Sequence, residues 1–396
     1  MDRVIAPARW EAFPGLAELV EALDADATRV VGGAVRDTLI GKPVYDVDLA
    51  TRHAPEESMR RIKAAGLKAV PTGLKHGTVT AVLASGQPIE VTTLRRDVET
   101  DGRHAVVAFT DDWREDAARR DFTMNALYAD VRTGAVHDHF DGLGDLAAGR
   151  VRFIGDPYQR IAEDHLRILR YFRFHARFGD AIDAAGLKAC ADRANDLMAL
   201  SRERIAAELL RLLVAPAAVR VTALMVENGI LRPVLPEIDA AGVARLAALA
   251  EREAAAGVEA EAVRRLAALL PAEVAEGIGG RLKLSNADRK RLVAATAGPG
   301  SEGPRALAYR CGPAIARDRL LLAGEDPAPI IGWAPPRLPI SGGALVERGL
   351  VNGPGVAAAL RALETRWIAE GFPDAARVAV LADEVVDQAL RSTSNA

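Results

Sequence analysis

From about residue 28 to about residue 150 the chain switches repeatedly between two hydrophobic periods. TRVV is a short β-branched run that predicts a strand, and AVRDTLIG follows it with helical spacing. DVDLAT alternates with period two, which turns Val47 and Leu49 toward a core and leaves Asp46 and Asp48 together on the opposite face. APEESMRRIKAAG predicts a helix with Pro55 at its first position. TVTAVL and PIEVTTLR predict further strands. The stretch RRDVETDGRHAVVAFTDDWRED has no clear period and is expected to be a long loop, of the kind that often carries function. FTMNALYADV returns toward helix or strand, and DHFDGLGDLAAG is rich in turn residues.

Past residue 151 the strand signals stop. GDPYQRIAEDHLRILRYFRFHARFG reads as one long helix, with Asp156 as cap, Pro157 at the first position, Gln159 completing a capping box and Gly179 at the end. A second helix is expected from Ser201, a suitable cap, through RERIAAELLRLL to Pro216. The rest is Ala- and Leu-rich helix, broken at GPGSEGP and DPAPIIGWAPPRLP, which predicts close packing as a bundle or solenoid.

Composition narrows the class. A chain of 396 residues is too long for one ordinary core, and 49% hydrophobic with 27% charged residues reads as soluble and globular. The net charge of -3 does not itself point to nucleic acid, although it hides local patches. The two cysteines, Cys190 and Cys311, fit neither a disulfide nor a zinc pattern, so a reducing cytoplasm is expected. No signal-peptide core opens the sequence and no apolar run has membrane-spanning length, so neither secretion nor membrane insertion is expected. All seven histidines lie at or before His175, which leaves the C-terminal half without a histidine-based metal site.

The candidate chemistry starts at GGAVRDTLIGKPVYDVDLAT, residues 32–51. Carboxylates held side by side repel one another unless a cation sits between them. A hard divalent ion such as Mg²⁺ takes oxygen ligands, usually one or two carboxylates plus substrate phosphates. Asp46 and Asp48 fit that demand, with Glu90 in PIEVTT as a third carboxylate on another strand. Such a site can activate an attacking oxygen and steady the leaving one in phosphoryl displacement. The bare amides of Gly32 and Gly33 can approach a phosphate, and Arg36 can reach it one turn later. A lone D-x-D is more often two solvated acids; its pairing with a glycine turn across a strand–turn–helix–strand spacing favours the metal reading.

Two arginine-rich stretches follow. In ARRDFTMNAL, Arg119 and Arg120 suit triphosphate or RNA, while Asp121 and Asn125 either fix a turn or touch ligand. In EDHLRILRYFRF, Asp164 and Arg167 stand one helical turn apart, and spacing alone suggests a solvated i,i+3 salt bridge. Held rigidly, however, an acceptor beside a donor imitates the edge of a base. It would accept cytosine and adenine, which pair an amino donor with a ring-nitrogen acceptor, and reject guanine and uracil.

Taken in order, these stretches resemble the motifs of class II tRNA nucleotidyltransferases (the CCA-adding enzymes) and bacterial poly(A) polymerases. GGAVRDTLIGKPVYDVDLAT resembles the first motif, ARRDFTMNAL the second, and DHFDGLGDLAAGRVRFIGDP the third, a hinge. EDHLRILRYFRF resembles the fourth, the amino-acid template for the incoming nucleotide, and SRERIAAEL the fifth, which supports it. The resemblance covers roughly residues 28 to 212, and GRLKLSNADRKRL is similar to the family's tail. It implies an α+β protein: a polymerase-β-type head with a five-stranded mixed sheet at 1–150, then an all-α neck at 151–215, body at 216–290 and tail at 291–396. It implies Mg²⁺ on Asp46 and Asp48 with Glu90 beside them, and Gly33, Arg36 and Arg120 around the triphosphate. Asp164 and Arg167 would read the base, Arg170 and Arg173 would lie near the nucleotide, and Glu163 would orient the readers. The segment 97–112 would be the flexible element for switching from C to A. Body and tail would hold the acceptor arm of tRNA, and the product would be a 3′ CCA end made from CTP and ATP. Poly(A) polymerase shares these motifs, but PTGLKHGTVTAVL looks like the CCA-adding type. An enzyme adding only CC or only A is the other alternative.

Overall fold

The computed structural model describes residues 4–100 and 105–394. They divide into two compact units, Met1–Ala240 and Ala241–Ala396.

The first unit carries the strands β1 (Thr28–Val31), β2 (Asp48–Thr51), β3 (Lys68–Gly73), β4 (Thr78–Val82), β5 (Pro88–Thr93), β6 (Arg95–Thr100), β7 (Ala105–Phe109), β8 (Leu127–Ala129) and β9 (Val136–Asp138). Its helices are α1 (Leu16–Ala22), α2 (Gly33–Leu39), α3 (Pro55–Ala64), α4 (Trp113–Ala118), α5 (Gly142–Ala147), α6 (Pro157–Glu163), α7 (Leu166–Phe178), α8 (Ala184–Asp192), α9 (Arg202–Leu213) and α10 (Ala218–Glu227). The sheet is mixed, with order β3-β4-β5-β2-β1-β8-β9. It therefore has seven strands and not the expected five. The surplus is explained by elements too short or too interrupted to show a period. β8 and β9 are three residues each, and β3 carries Pro71, which an edge strand tolerates because one side of its ladder needs no donor.

Three further expectations change. Residues 95–118 are not a loop: β6 and β7 form a separate two-stranded ribbon, and α4 follows, its first turn capped by Asp112, which accepts from the Arg114 amide at 2.7 Å. The tip of the ribbon lies outside the described residues, so the switching role assigned to 97–112 falls partly there. The turn-rich stretch contains the short helix α5. The long helix of 155–179 is two helices, broken at Asp164, whose backbone is extended (φ -152°, ψ 106°). Asp156 caps α6 as expected, whereas Ser201 opens α9 without a side-chain bond.

The core explains the placement of the site. Val31, Ala50, Leu94, Trp113, Ala117, Ala126, Tyr128 and Ile154 pack α4 onto one face of the sheet. Just past α4, Arg120 reaches the turn that follows β1, where its Nη1 lies 3.5 Å from the position of a Cβ on Gly32.

The second unit is helical: α11 (Ala240–Ala255), α12 (Ala262–Leu269), α13 (Ala275–Arg281), α14 (Asn286–Ala295), α15 (Pro304–Cys311), α16 (Pro313–Ala323), α17 (Gly342–Val346), α18 (Pro354–Ala369) and α19 (Ala375–Ser394). One of its cores gathers Leu345, Leu363, Trp367, Val378, Leu381 and Val385 from the last three helices. Among the described residues no helix is long and apolar enough to cross a membrane.

Candidate active site

β1 ends at Val31 and the chain turns at Gly32 (φ 73°, ψ -122°), a conformation that costs a residue with a Cβ dearly. α2 starts at the next residue, and Gly32 is tied to the sheet by its amide, which donates to the Leu127 carbonyl at 3.0 Å. The carboxylates lie at the same end of the sheet. Asp48 opens β2 and is the register partner of Glu90 on the parallel strand β5 and of Val31 on β1. Asp46 stands just before the strand. Val47 and Leu49 are buried and Asp46 and Asp48 exposed, as the alternation predicted. Although Asp48 reaches solvent, the protein packed around it strips part of its hydration and pushes the carboxyl up from its ordinary value; the neighbouring Glu90 and Asp46 add to the rise while Arg120 opposes it. This is the electrostatic signature of acids that want a cation.

A cavity of about 650 Å³ opens beside them, lined by Gly32, Gly33 and Asp48 from the sheet end, Arg119, Arg120, Asp121 and Asn125 after α4, and Asp164, Arg167, Arg170, Phe174 and Arg204 from the helices. Arg36 and Arg95 also line it, so seven guanidiniums face three carboxylates. Most are fixed by partners on their far side. Arg36 donates to Asn125 at 2.5 Å and Asp37 at 2.8 Å and lies 4.2 Å from the Phe178 ring. Asp121 accepts from Arg170 (2.5 and 2.9 Å), from Asn125 (2.9 Å) and from the Phe122 amide (2.8 Å). Burial alone would raise the Asp121 carboxyl, but Arg170 and these hydrogen bonds outweigh it and hold it below the usual range. Asp121 and Asn125 thus both fix the turn and border the cavity.

Asp164 and Arg167 are brought to the same cavity but do not pair with each other. The Asp164 carboxylate accepts from Arg204 of α9 at 2.9 and 3.1 Å and from the Leu166 amide at 3.1 Å. Arg167 donates to Glu163 at 2.5 Å and to the Arg160 carbonyl at 2.8 Å. The i,i+3 salt bridge that spacing suggested is absent, and each side chain is steadied by its own neighbour. Glu163 holds Arg167 and Arg160 without lining the cavity. Arg173 does not line it either: its Nε donates to Glu208 of α9 at 2.5 Å and its guanidinium lies 4.5 Å from the Phe174 ring. Glu90 and Asp46 stand outside the lining, beside Asp48.

Arg204, Phe174, Arg95 and Asp116 were missed by the sequence reading as site residues. Arg204 sits inside SRERIAAEL, and Asp116 precedes Arg119 and Arg120 by three and four residues, the spacing of neighbours on a helix. Phe174 gave only a core signal. Nothing in the sequence singles out Arg95.

Residues 28–152 match the family described as poly A polymerase head domain, and residues 181–241 match the probable RNA and SrmB-binding site of polymerase A. CCA tRNA nucleotidyltransferase 1, mitochondrial, of Danio rerio is 44% identical over 220 residues, 54% of this chain and 50% of the relative. The CCA-adding enzyme of Lacticaseibacillus paracasei is 43% identical over 185 residues, 46% of this chain and 45% of its own. The Bacillus stearothermophilus CCA-adding enzyme, solved in complex with CTP, superposes with a TM-score of 0.76 at 27% identity, covering 99% of this chain and 100% of that one. The aligned stretch spans about half the length of the curated relatives. Fold and site define a head of the poly A polymerase type followed by helices. Residues 28–152 carry that head domain, and the chain is similar in sequence over about half its length, and in fold throughout, to CCA-adding enzymes.

That similarity implies a divalent metal. The donor set fits one, being all carboxylate oxygen, with the Asp48 carboxyl raised by desolvation and then by its acidic neighbours. Among the described residues no group of three or more His, Cys, Asp or Glu side chains is gathered closely enough to hold a metal by protein atoms alone. Substrate phosphates are the ordinary remaining ligands of such a site.

Proposed function

We propose that the protein adds CCA to the 3′ end of tRNA from CTP and ATP, without a nucleic-acid template, releasing pyrophosphate. The observation that carries this reading is one cavity that joins the Asp48 carboxylate, an excess of guanidiniums and the separately held pair Asp164 and Arg167. The triphosphate would lie against the amides of Gly32 and Gly33 and the guanidiniums of Arg36 and Arg120. Asp48 and Asp46, with Glu90 behind, would hold Mg²⁺, which supplies Lewis-acid stabilisation of the charge on the reacting phosphate. Asp164 would accept from the exocyclic amino group of the base and Arg167 would donate to its ring nitrogen, a pattern that suits C and A and leaves G and U with donors and acceptors mismatched. The primer 3′ hydroxyl then attacks the α-phosphorus, one P–O bond forms, and the bond to pyrophosphate breaks. Head, neck, body and tail would fall at 1–150, 151–215, 216–290 and 291–396. Body and tail would hold tRNA by its backbone, and the protein would act in the cytoplasm.

The test is an extension assay with a tRNA transcript lacking its CCA end and an unrelated single-stranded RNA, given CTP, ATP or both. Growth of the tRNA by two C and one A, then a stop, is the expected result. Long adenosine tails on both RNAs would make the protein a poly(A) polymerase, and a single A or only CC would make it a partial enzyme. Asp48→Ala should lower incorporation about a thousandfold or more while leaving tRNA binding intact. Wild-type rates from that variant would sink the metal assignment.

A further inference from the structure

Asp116 does not line the cavity, yet it organises two residues that do. It lies on α4 at 1% exposure, and four donors converge on it. Its Oδ1 accepts from Arg119 Nε at 2.9 Å and from the Arg95 backbone amide, at the root of the β6–β7 ribbon, at 3.2 Å. Its Oδ2 accepts from Arg120 Nη2 at 3.1 Å and from the Tyr128 hydroxyl at 2.7 Å. One negative charge thus stands behind two positive ones, and the pair keeps a net positive charge on the cavity side. Arg120 Nη1 lies where a Cβ on Gly32 would meet it at 3.5 Å, and Arg120 Nε is buried with no protein partner among the described residues. The same short segment touches the base-reading side, because the Arg119 carbonyl accepts from Arg160 and Arg167.

We propose that Asp116 is a positioning residue for nucleotide binding: it holds Arg120 against the glycine turn and Arg119 in the cavity wall, and locks that segment to the ribbon root and to Tyr128. This rests on the reading that the cavity receives a nucleoside triphosphate. A carboxylate that only anchored α4 would need Tyr128 and the Arg95 amide alone. Here both oxygens also carry an arginine, so turning either guanidinium away costs a charge-assisted hydrogen bond in a buried site.

Asp116→Asn keeps the shape and removes the charge. Equilibrium binding of CTP without RNA, and steady-state CCA addition, should both show weakening of about tenfold in affinity or KM, with kcat changed less than about threefold. In an Arg120→Gln background the same substitution should add less than about twofold, because Asp116 acts through that side chain. Unchanged CTP affinity with only a lower melting temperature would overturn the proposal, as would fully additive losses. If Asp116→Asn does not fold, Tyr128→Phe serves: loss of one donor to Oδ2 should weaken CTP about threefold, and unchanged affinity would count against the proposal. A wild-type protein that binds CTP but extends no tRNA would defeat the functional reading and leave the role of Asp116 to be judged by binding alone.

Discussion

Each unit packs arginines inside it, but the charge balance differs. In the second unit Arg264 is wholly buried and donates to Glu253 at 2.7 Å, to Asp318 at 3.1 Å and to the Glu259 carbonyl at 2.5 Å. Arg265 takes the other oxygen of Glu253 at 2.8 Å, and Arg291 holds Asp318 at 2.8 Å and Glu261 at 3.1 Å. Among these six side chains three cations meet three acids, and every cation holds at least one of the acids. In the first unit seven arginines face three carboxylates across a cavity, while Asp37, Asp116 and Glu163 stand behind four of those arginines, so the acids sit mostly outside the cavity and its wall is left positive. The contrast separates two uses of one side chain. A closed network has no charge left for a ligand, whereas an open one keeps a field that an anion with several charges would neutralise. A triphosphate is such an anion.

The comparison is broken most severely by opening the closed network. Arg264→Met removes the central cation and leaves Glu253 and Asp318 buried with one partner each. A loss of about 3–5 kcal/mol in unfolding free energy is expected, read from urea denaturation. CTP affinity should not change, since no residue of that network lines the cavity. A large drop in CTP affinity without loss of stability would show that the closed network serves ligand binding after all.

A third arrangement lies at the end of α7, where an arginine is matched by a neutral group. His175 is 1% exposed, and its Nε2 lies 3.1 Å from Arg220 Nη1, whose Nη2 donates to the Gly179 carbonyl at 2.7 Å. Burial and the Arg220 charge push the imidazole down to about 4. Between pH 6.5 and 4 the unfolded chain therefore binds a proton that the folded one refuses, and stability falls as the pH drops through that window. Its full extent is about 3 kcal/mol, from the size of the shift. Urea midpoints at pH 5 and pH 7 for wild type and His175→Gln measure it. The variant should lose less on acidification, and equal losses would mean that other groups set the acid limit.

Much of this was legible in the chain. The strand–turn–helix–strand spacing of residues 28–51 placed Gly32 and Asp48 at one sheet end, because period two and a glycine turn are local properties. The order of motifs implied the family, and with it the head. The break at Asp164 was not legible: α6 and α7 each carry good helical spacing, and the carboxylate rests between the Leu166 amide and Arg204, forty residues on. The β6–β7 ribbon was missed for a similar reason. It is a separate two-stranded pair, and no alternation marks it in the sequence. The resemblance placed Arg173 near the nucleotide, whereas in the structure it donates to Glu208 of α9 and does not line the cavity.

The smallest effect sharpens the comparison most, because it asks whether the open network reads as well as binds. Asp164 sits in a helix break, held by Arg204 on both oxygens, with its side chain 30% exposed. If it reads the base, Asp164→Ala removes the acceptor that the exocyclic amino group of C or A would use. UTP and GTP then lose their penalty relative to CTP and ATP. The discrimination ratio should fall about tenfold, close to 1.4 kcal/mol, with overall stability lowered by no more than a helix-cap loss of about 1 kcal/mol. Competition assays with CTP against UTP give the ratio directly. Arg204→Ala should move it in the same direction by less, since Asp164 stays but is no longer held. If Asp164→Ala costs only stability and leaves the ratio untouched, the residue is a cap for α7, and the selection of C and A has to come from Arg167 and the walls around it.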